Sequence, residues 1–137
     1  MMAAHKFKTK DVAKAAYNNY LKKSEECLHA AQTSFERGQW NAAAINAVHS
    51  CISACDAMCV YFLGKRHAGE DHNDAAALFK SIRDSEEIHT NSTRIMKILR
   101  IKNIAEYEER LVRPKEAEAI MKDCERLIEY IKKQLPA

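Results

Sequence analysis

Residues 20–57 read "YLKKSEECLHAAQTSFERGQWNAAAINAVHSCISACDA", and this stretch decides the fold. Tyr20, Ser24, Cys27, Leu28, Ala31 and Phe35, preceded by Tyr17, recur at helical spacing. Arg37-Gly38 ends that pattern, because glycine takes the left-handed conformation that a C-terminal helix cap wants. A second helical pattern starts at once, near Gln39, and runs to Leu63. One side of it carries Trp40, Ala44, Ala47, Val48, Cys51, Cys55, Met58 and Phe62, and the opposite side holds Ile45, Ile52, Cys59 and Leu63. A helix apolar nearly all round belongs at the centre of a bundle. Its many Ala, Ser and Cys residues let neighbours approach closely. The tight turn at Gly38 makes the two helices an antiparallel hairpin.

Outward from the hairpin, the first helix is expected to start near Thr9, since Thr9 and Asp11 suit a helix start. A basic tail, residues 1–7, precedes it. On the other side, "GKRHAGED" reads as a loop, and Asp71 caps a short third helix over about His72–Arg83, with Asp74 in its first turn. "DSEEIHTNS" is a polar connection or a weak helix. A fourth helix begins near Asn91 or Ser92 and ends near Tyr107, with Ile95, Ile98 and Leu99 inward and Lys102 one heptad after Ile95 on the same face. Pro114 sits in the first turn of a fifth helix, where its missing N–H is harmless. The inward stripe of that helix is Ala117, Ile120, Met121, Cys124, Leu127, Ile128 and Ile131. The expectation is an all-α, five-helix antiparallel up-and-down bundle with a long hairpin of the first two helices, forming one domain over residues 8–135.

Composition agrees with that expectation. The chain has 137 residues, 47% of them hydrophobic, with only three Gly and two Pro. So little turn material argues against a multi-stranded sheet. The net charge of +3 permits RNA or phosphate binding without demanding it. The cations are uneven: Lys6, Lys8, Lys10 and Lys14 crowd the N-terminus against Asp11 alone, and Arg94, Lys97, Arg100 and Lys102 run without an acid among them. "MMAAHKFKTK" has no apolar core, so no signal peptide is expected. No membrane span is expected either. Five cysteines, an odd count without zinc-ribbon spacing, fit a soluble cytoplasmic protein with reduced thiols. Neither a metal nor a cofactor is expected.

Several constellations invite a chemical reading. Cys51, Cys55 and Cys59 climb one helix by ~12 Å, so they cannot converge on one ion. Small thiols at a close helix crossing explain them better. Asn46, His49, Ser53 and Asp56 form a polar stripe on the otherwise apolar second helix. Such a stripe faces a polar groove or a partner chain; a structural network or dimer seam outweighs His–Asp catalysis, because those two residues stand ~10 Å apart along the axis. His67, Glu70, Asp71, His72 and Asp74 match no metal-ligand spacing and read as a capped helix start in a solvated loop. Lys102, Asn103, Glu106 and Tyr107 bring a cation, an amide, a carboxylate and a phenol to one helix end, with Arg100 beside them. That set suits phosphate and base contacts. It equally suits a Lys102–Glu106 salt bridge with Tyr107 packed on the core. Both readings stand at this point.

The hairpin, "KNIAEY" at 102–107, a short loop and a last amphipathic helix together resemble the HEPN superfamily over roughly residues 10–135. The resemblance implies a small antiparallel helical bundle, commonly dimeric. It implies either a metal-independent ribonuclease or a non-catalytic RNA- or nucleotide-binding module, often paired with a nucleotidyltransferase in a toxin–antitoxin system. The ribonuclease signature of that superfamily is Arg-x4-6-His. Lys102 falls at its arginine, Asn103 at the following polar position and Tyr107 at its histidine. Lysine keeps the charge but loses the bidentate fork, and tyrosine, with a reference pKa of ~10, is a poor general base at neutral pH. Arg83-x5-His89 has the spacing but lies a full element upstream. The expectation is therefore a non-catalytic module, homodimeric, whose groove of Arg100, Lys102, Asn103, Glu106 and Tyr107 contacts RNA, a nucleotide or a partner protein such as a nucleotidyltransferase. The alternative is a metal-independent endoribonuclease with a divergent motif, and a purely structural partner subunit is a third reading.

Overall fold

A computed structural model describes residues 8–136; the expected basic tail at 1–7 lies outside the described residues. Five helices follow in order: α1 (Tyr17–Glu36), α2 (Trp40–Leu63), α3 (His72–Lys80), α4 (Glu86–Tyr107) and α5 (Pro114–Gln134). The architecture is all-α, as the periodicity predicts, with one small addition. Thr9–Asp11 (β1) pairs antiparallel with Lys65–His67 (β2), in the register Thr9 opposite His67 and Asp11 opposite Lys65. The first helix therefore does not begin at Thr9. A 3-10 turn at Lys14–Ala16 intervenes, and α1 starts at Tyr17. The loop expected over 64–71 is likewise partly strand. Three-residue strands have no periodicity to read; long-range pairing alone makes them.

The hairpin is closed by Gly38, at φ +69°, and α2 ends at Gly64, at φ +70°. Both glycines take the left-handed conformation that stops a helix. The two helices lie close enough for reciprocal hydrogen bonds. Ser24 Oγ donates to the Ser50 carbonyl at 2.8 Å, and Ser50 Oγ donates to the Ser24 carbonyl at 2.7 Å, with both side chains fully buried. Small residues at the crossing permit this. Ala31, Ala43, Ala47, Ala54 and Ala57 are all at 0% exposure.

α2 is the central helix. α1, α4 and α5 pack around it, and its buried face includes Val48, Cys51, Cys55, Met58 and Cys59. By length and composition α2 could cross a membrane, yet 67% of its apolar window is packed inside the fold. The inward stripe of α5 is buried as predicted, Ala117 through Ile131. Cys124 Sγ lies 3.5 Å from the Ala47 carbonyl, which places the small thiol at the α2–α5 crossing.

α4 starts earlier than predicted, at Glu86 rather than Asn91 or Ser92. Ser85 Oγ accepts from the Ile88 N–H at 3.1 Å, and Glu86 and Glu87 occupy the first turn. Acidic residues there favour the helix, since they sit on the positive end of its dipole. The polar "DSEEIHTNS" is thus mostly helix: Ile88 is buried, and Asn91 is held by the Glu87 carbonyl and by Arg94. Between α4 and α5, Arg110 grips Glu116 through two 2.8 Å hydrogen bonds. Glu116 also accepts from the Arg113 N–H at 2.9 Å. Those donors hold its carboxyl down at about 2.

The Ser24–Ser50 clamp sets how closely α1 approaches α2. Ser24→Ala should lower stability by about 1 kcal/mol, whereas Ser24→Leu should add a further ~1–3 kcal/mol by forcing the helices apart. Urea unfolding followed by circular dichroism measures both. A leucine variant as stable as the alanine variant would show that the helices are not tightly packed there.

Candidate functional site

The second half of α4 leaves the core gradually. Ile98, Leu99 and Ile101 are buried, Lys102 is half-buried, and Asn103 and Arg100 are exposed. Lys102 continues the inward stripe of Ile95, so its chain packs along apolar surface while its ammonium reaches the edge. There it meets a pocket of about 550 Å3. Ile52, Cys55, Ala75 and Leu99 give the pocket apolar walls. Its polar side comes from four elements: Asp56 on α2, Arg66 and His67 on β2, His72 on α3, and Lys102, Asn103 and Tyr107 on α4.

Two groups that are far apart in the sequence are therefore brought together. Asp56 was one end of the polar stripe on α2, and Lys102, Asn103 and Tyr107 were the end of α4. The rest of the stripe disperses. Asn46 bonds back to the Ala42 carbonyl of its own helix at 2.9 Å. Ser53 is half-buried on the turn before Asp56. His49 is exposed and reaches Glu106 at 3.6 Å. Glu106 thus pairs with α2, not with Lys102 as the i,i+4 spacing suggested. Among the described residues Lys102 has no ion-pair partner. Nor does Tyr107 pack on the core: it is 72% exposed and stands at the pocket rim. Arg100 lies outside the main pocket, in an adjoining cleft that shares Glu70, His72 and Asn103 with it.

The loop dismissed as solvated is the part that sequence reasoning missed. β1 pins β2, and the Ala68 N–H donates to the Lys8 carbonyl at 2.8 Å, so residues 66–69 fold over the pocket. Arg66 Nη1 donates to the His67 carbonyl at 3.1 Å. His67 Nε2 is buried without a hydrogen-bond partner among the described residues. A Cβ on Gly69 would come within 3.2 Å of that nitrogen, so glycine is what lets the loop close. The only signal available in the sequence was an arginine and two imidazoles following directly on a buried helix that carries Asp56.

Electrostatics set the pocket apart. Burial pushes the Asp56 carboxyl from its ordinary range up to about 7, against a smaller opposing pull from Arg66. Burial lowers His72, and the Lys102 ammonium lowers it further, while Asp71 and Glu106 oppose. Burial also lowers His67, with Asp74 and Asp71 opposing. Both imidazoles thus favour the neutral form at neutral pH. The thiols of Cys51 and Cys55 are pushed well up and stay protonated. At pH 7 the pocket offers two cations, two neutral imidazoles and two carboxyls, Glu70 at the loop and Asp56 poised between its forms.

Arg83 and His89 do not join this site. Arg83 stacks over Phe62 at 4.9 Å and bonds to Gln134, and His89 pairs with Asp84 at 3.2 Å. His89 stands near the start of α4, thirteen residues before Lys102, which is ~20 Å along a helix.

A carboxyl whose folded pKa is raised stabilises the fold below its unfolded value and loses that contribution as pH rises through the folded one. Asp56 should therefore weaken the protein between pH 3.8 and about 7. Asp56→Asn, which cannot ionise, should raise the melting temperature at about pH 8 by a few degrees, in line with ~1 kcal/mol or more, with the gain shrinking towards acid. Calorimetry of both proteins across pH measures it. An Asn variant less stable than wild type at high pH would mean that Asp56 has a structural partner.

Residues 17–134, most of the chain, match the family model of the HEPN domain. No curated protein matches the chain.

Proposed function

The chain belongs to the HEPN domain family, and from that premise we propose that it is a non-catalytic binding module whose pocket contacts RNA or a nucleotide. The observation that carries this reading is Lys102, a half-buried cation without an ion-pair partner among the described residues, facing a pocket that also holds Arg66. An unneutralised cation beside apolar walls favours a phosphate. Asn103 and the exposed ring of Tyr107 add an amide and a stacking surface at the same rim. The proposal extends to a homodimer and to a nucleotidyltransferase as protein partner. Tyr107 and Leu111, 72% and 73% exposed, support a protein contact at the end of α4.

The second reading is a metal-independent endoribonuclease with a divergent motif. Asp56 favours it, since a carboxyl near 7 in one pocket with Lys102 and His72 suits proton transfer. Against it stands the chemistry of Lys102 and Tyr107, which lack the guanidinium fork and the imidazole of the family signature.

Single-stranded RNA should bind with an affinity that falls steeply with salt. Lys102→Ala should weaken binding about five- to tenfold and reduce the salt slope by about one. Fluorescence anisotropy over a salt series measures this, and binding indifferent to salt would remove the nucleic-acid reading. The same RNA should remain intact in chelator. Cleavage abolished by Asp56→Asn would instead establish the second reading.

A further inference from the structure

Beyond a general affinity for phosphate, the pocket has the shape and chemistry of a base-reading site. Its volume of about 550 Å3 lies in the range of small-molecule sites. Ile52, Cys55, Ala75 and Leu99 offer apolar walls for a flat ring. Within these walls Asp56 has no hydrogen-bond or ion-pair partner among the described residues. Arg66 on β2 pulls on this carboxyl without hydrogen-bonding to it, since Arg66 Nη1 donates to the His67 carbonyl, so the Asp56 oxygens are open to a ligand. The cations Arg66 and Lys102 come from β2 and α4 respectively, where a phosphate joined to the ring could reach them.

We infer that the pocket seats one unstacked nucleobase, read along its hydrogen-bonding edge by Asp56, with the attached phosphate held by Arg66 and Lys102. The inference rests on the RNA- or nucleotide-binding reading above and narrows it to a single base. An ionised carboxylate offers two acceptors, which match the N1–H and N2–H donors of guanine. A protonated carboxyl offers one donor and one acceptor, which match N1 and N6–H of adenine and also O6 and N1–H of guanine, so the advantage of guanine is lost. Asp56 changes between these forms near neutrality, so the preference for guanine should change with it. The charged and titratable groups that line the pocket with Asp56 are Arg66 and His67 from β2, Glu70 from the loop, His72 from α3 and Lys102 and Tyr107 from α4; Cys51 and Cys55 flank it on α2. The thiols do not ionise in this range. The two histidines are unchanged in the Asp56→Asn variant, so their share of any pH dependence is read there directly.

The test uses two uridine hexamers that differ only in one central base, guanine or adenine, so that the phosphate contribution is common to both. Binding is measured with the full chain at about pH 6 and about pH 8, one unit either side of the Asp56 value of about 7. Wild type should favour guanine over adenine by about fivefold or more at the higher pH and lose that preference at the lower one. Asp56→Asn keeps the shape and presents one donor and one acceptor at every pH, so it should lack the guanine preference at both. Any pH dependence left in the variant reports the histidines. An equal guanine-to-adenine ratio at both pH values in both proteins, with binding still weakened by Lys102→Ala, would overturn the base-reading inference and leave the phosphate-binding reading intact. No binding of either hexamer would overturn both.

Discussion

The burial of α2 on nearly every side is the constraint on which the rest depends. A helix in that position offers little solvent to its polar side chains, so each one off its exposed edge at His49 must be explained. Ser50 is satisfied by the reciprocal bonds to Ser24, and Asn46 by its own helix. Asp56 is satisfied by neither route. It lines a pocket where packing around α2 is incomplete, between β2, the start of α3 and the end of α4. The pocket exists because these three elements meet α2 without filling the space between them. The shift of Asp56 to about 7 follows from the same burial. It is a cost to the folded state, and a cost of that kind is commonly borne where a group serves a ligand.

How the pocket is closed depends on an interaction that no local pattern predicts. α2 ends at Gly64, and the chain must cross to α3 at His72. Left to itself, such a connection would be a solvated loop. The β1 strand changes this by supplying Thr9–Asp11 as an antiparallel partner, and the connection is drawn back over the bundle. Arg66 and His67 are then walls of the pocket instead of surface residues. The site is therefore assembled from both ends of the described N-terminal half: β1 holds β2, and β2 carries the arginine that faces Lys102.

What was legible in the sequence follows the same division. The hairpin, the central helix and α5 were readable because their burial repeats at helical period over many turns. The start of α4 was lost because its first turns are solvated and only Ile88 is buried there; Ser85 followed by Glu86 and Glu87 was the capping signal that could have found it. Lys102, Asn103 and Tyr107 were readable as a cluster because they share one helix end. Their meeting with Asp56 was not, since it depends on how α4 crosses α2. Pairing Lys102 with Glu106 failed for a related reason. Helical spacing permits that pair, but His49 on α2 offers Glu106 a partner across the interface.

The departures from the nuclease signature bear on what kind of site this is. An arginine at position 102 would hold a phosphate in a fixed plane, as in-line cleavage requires, whereas an ammonium holds it as a point charge and leaves it free to turn. Tyr107, on the solvent side of the rim, would on the proposed reading stack on a base rather than take a proton. On the proposed binding reading the two departures act in the same direction: both would keep attraction for a nucleotide and both would weaken control over its scissile bond. Burial lowers the neighbouring His72, and the Lys102 charge adds to that lowering. A neutral His72 can accept or donate a hydrogen bond but adds no fixed charge to the pocket, so on the inferred base-reading role it is the ionisation of Asp56 that would set the preference.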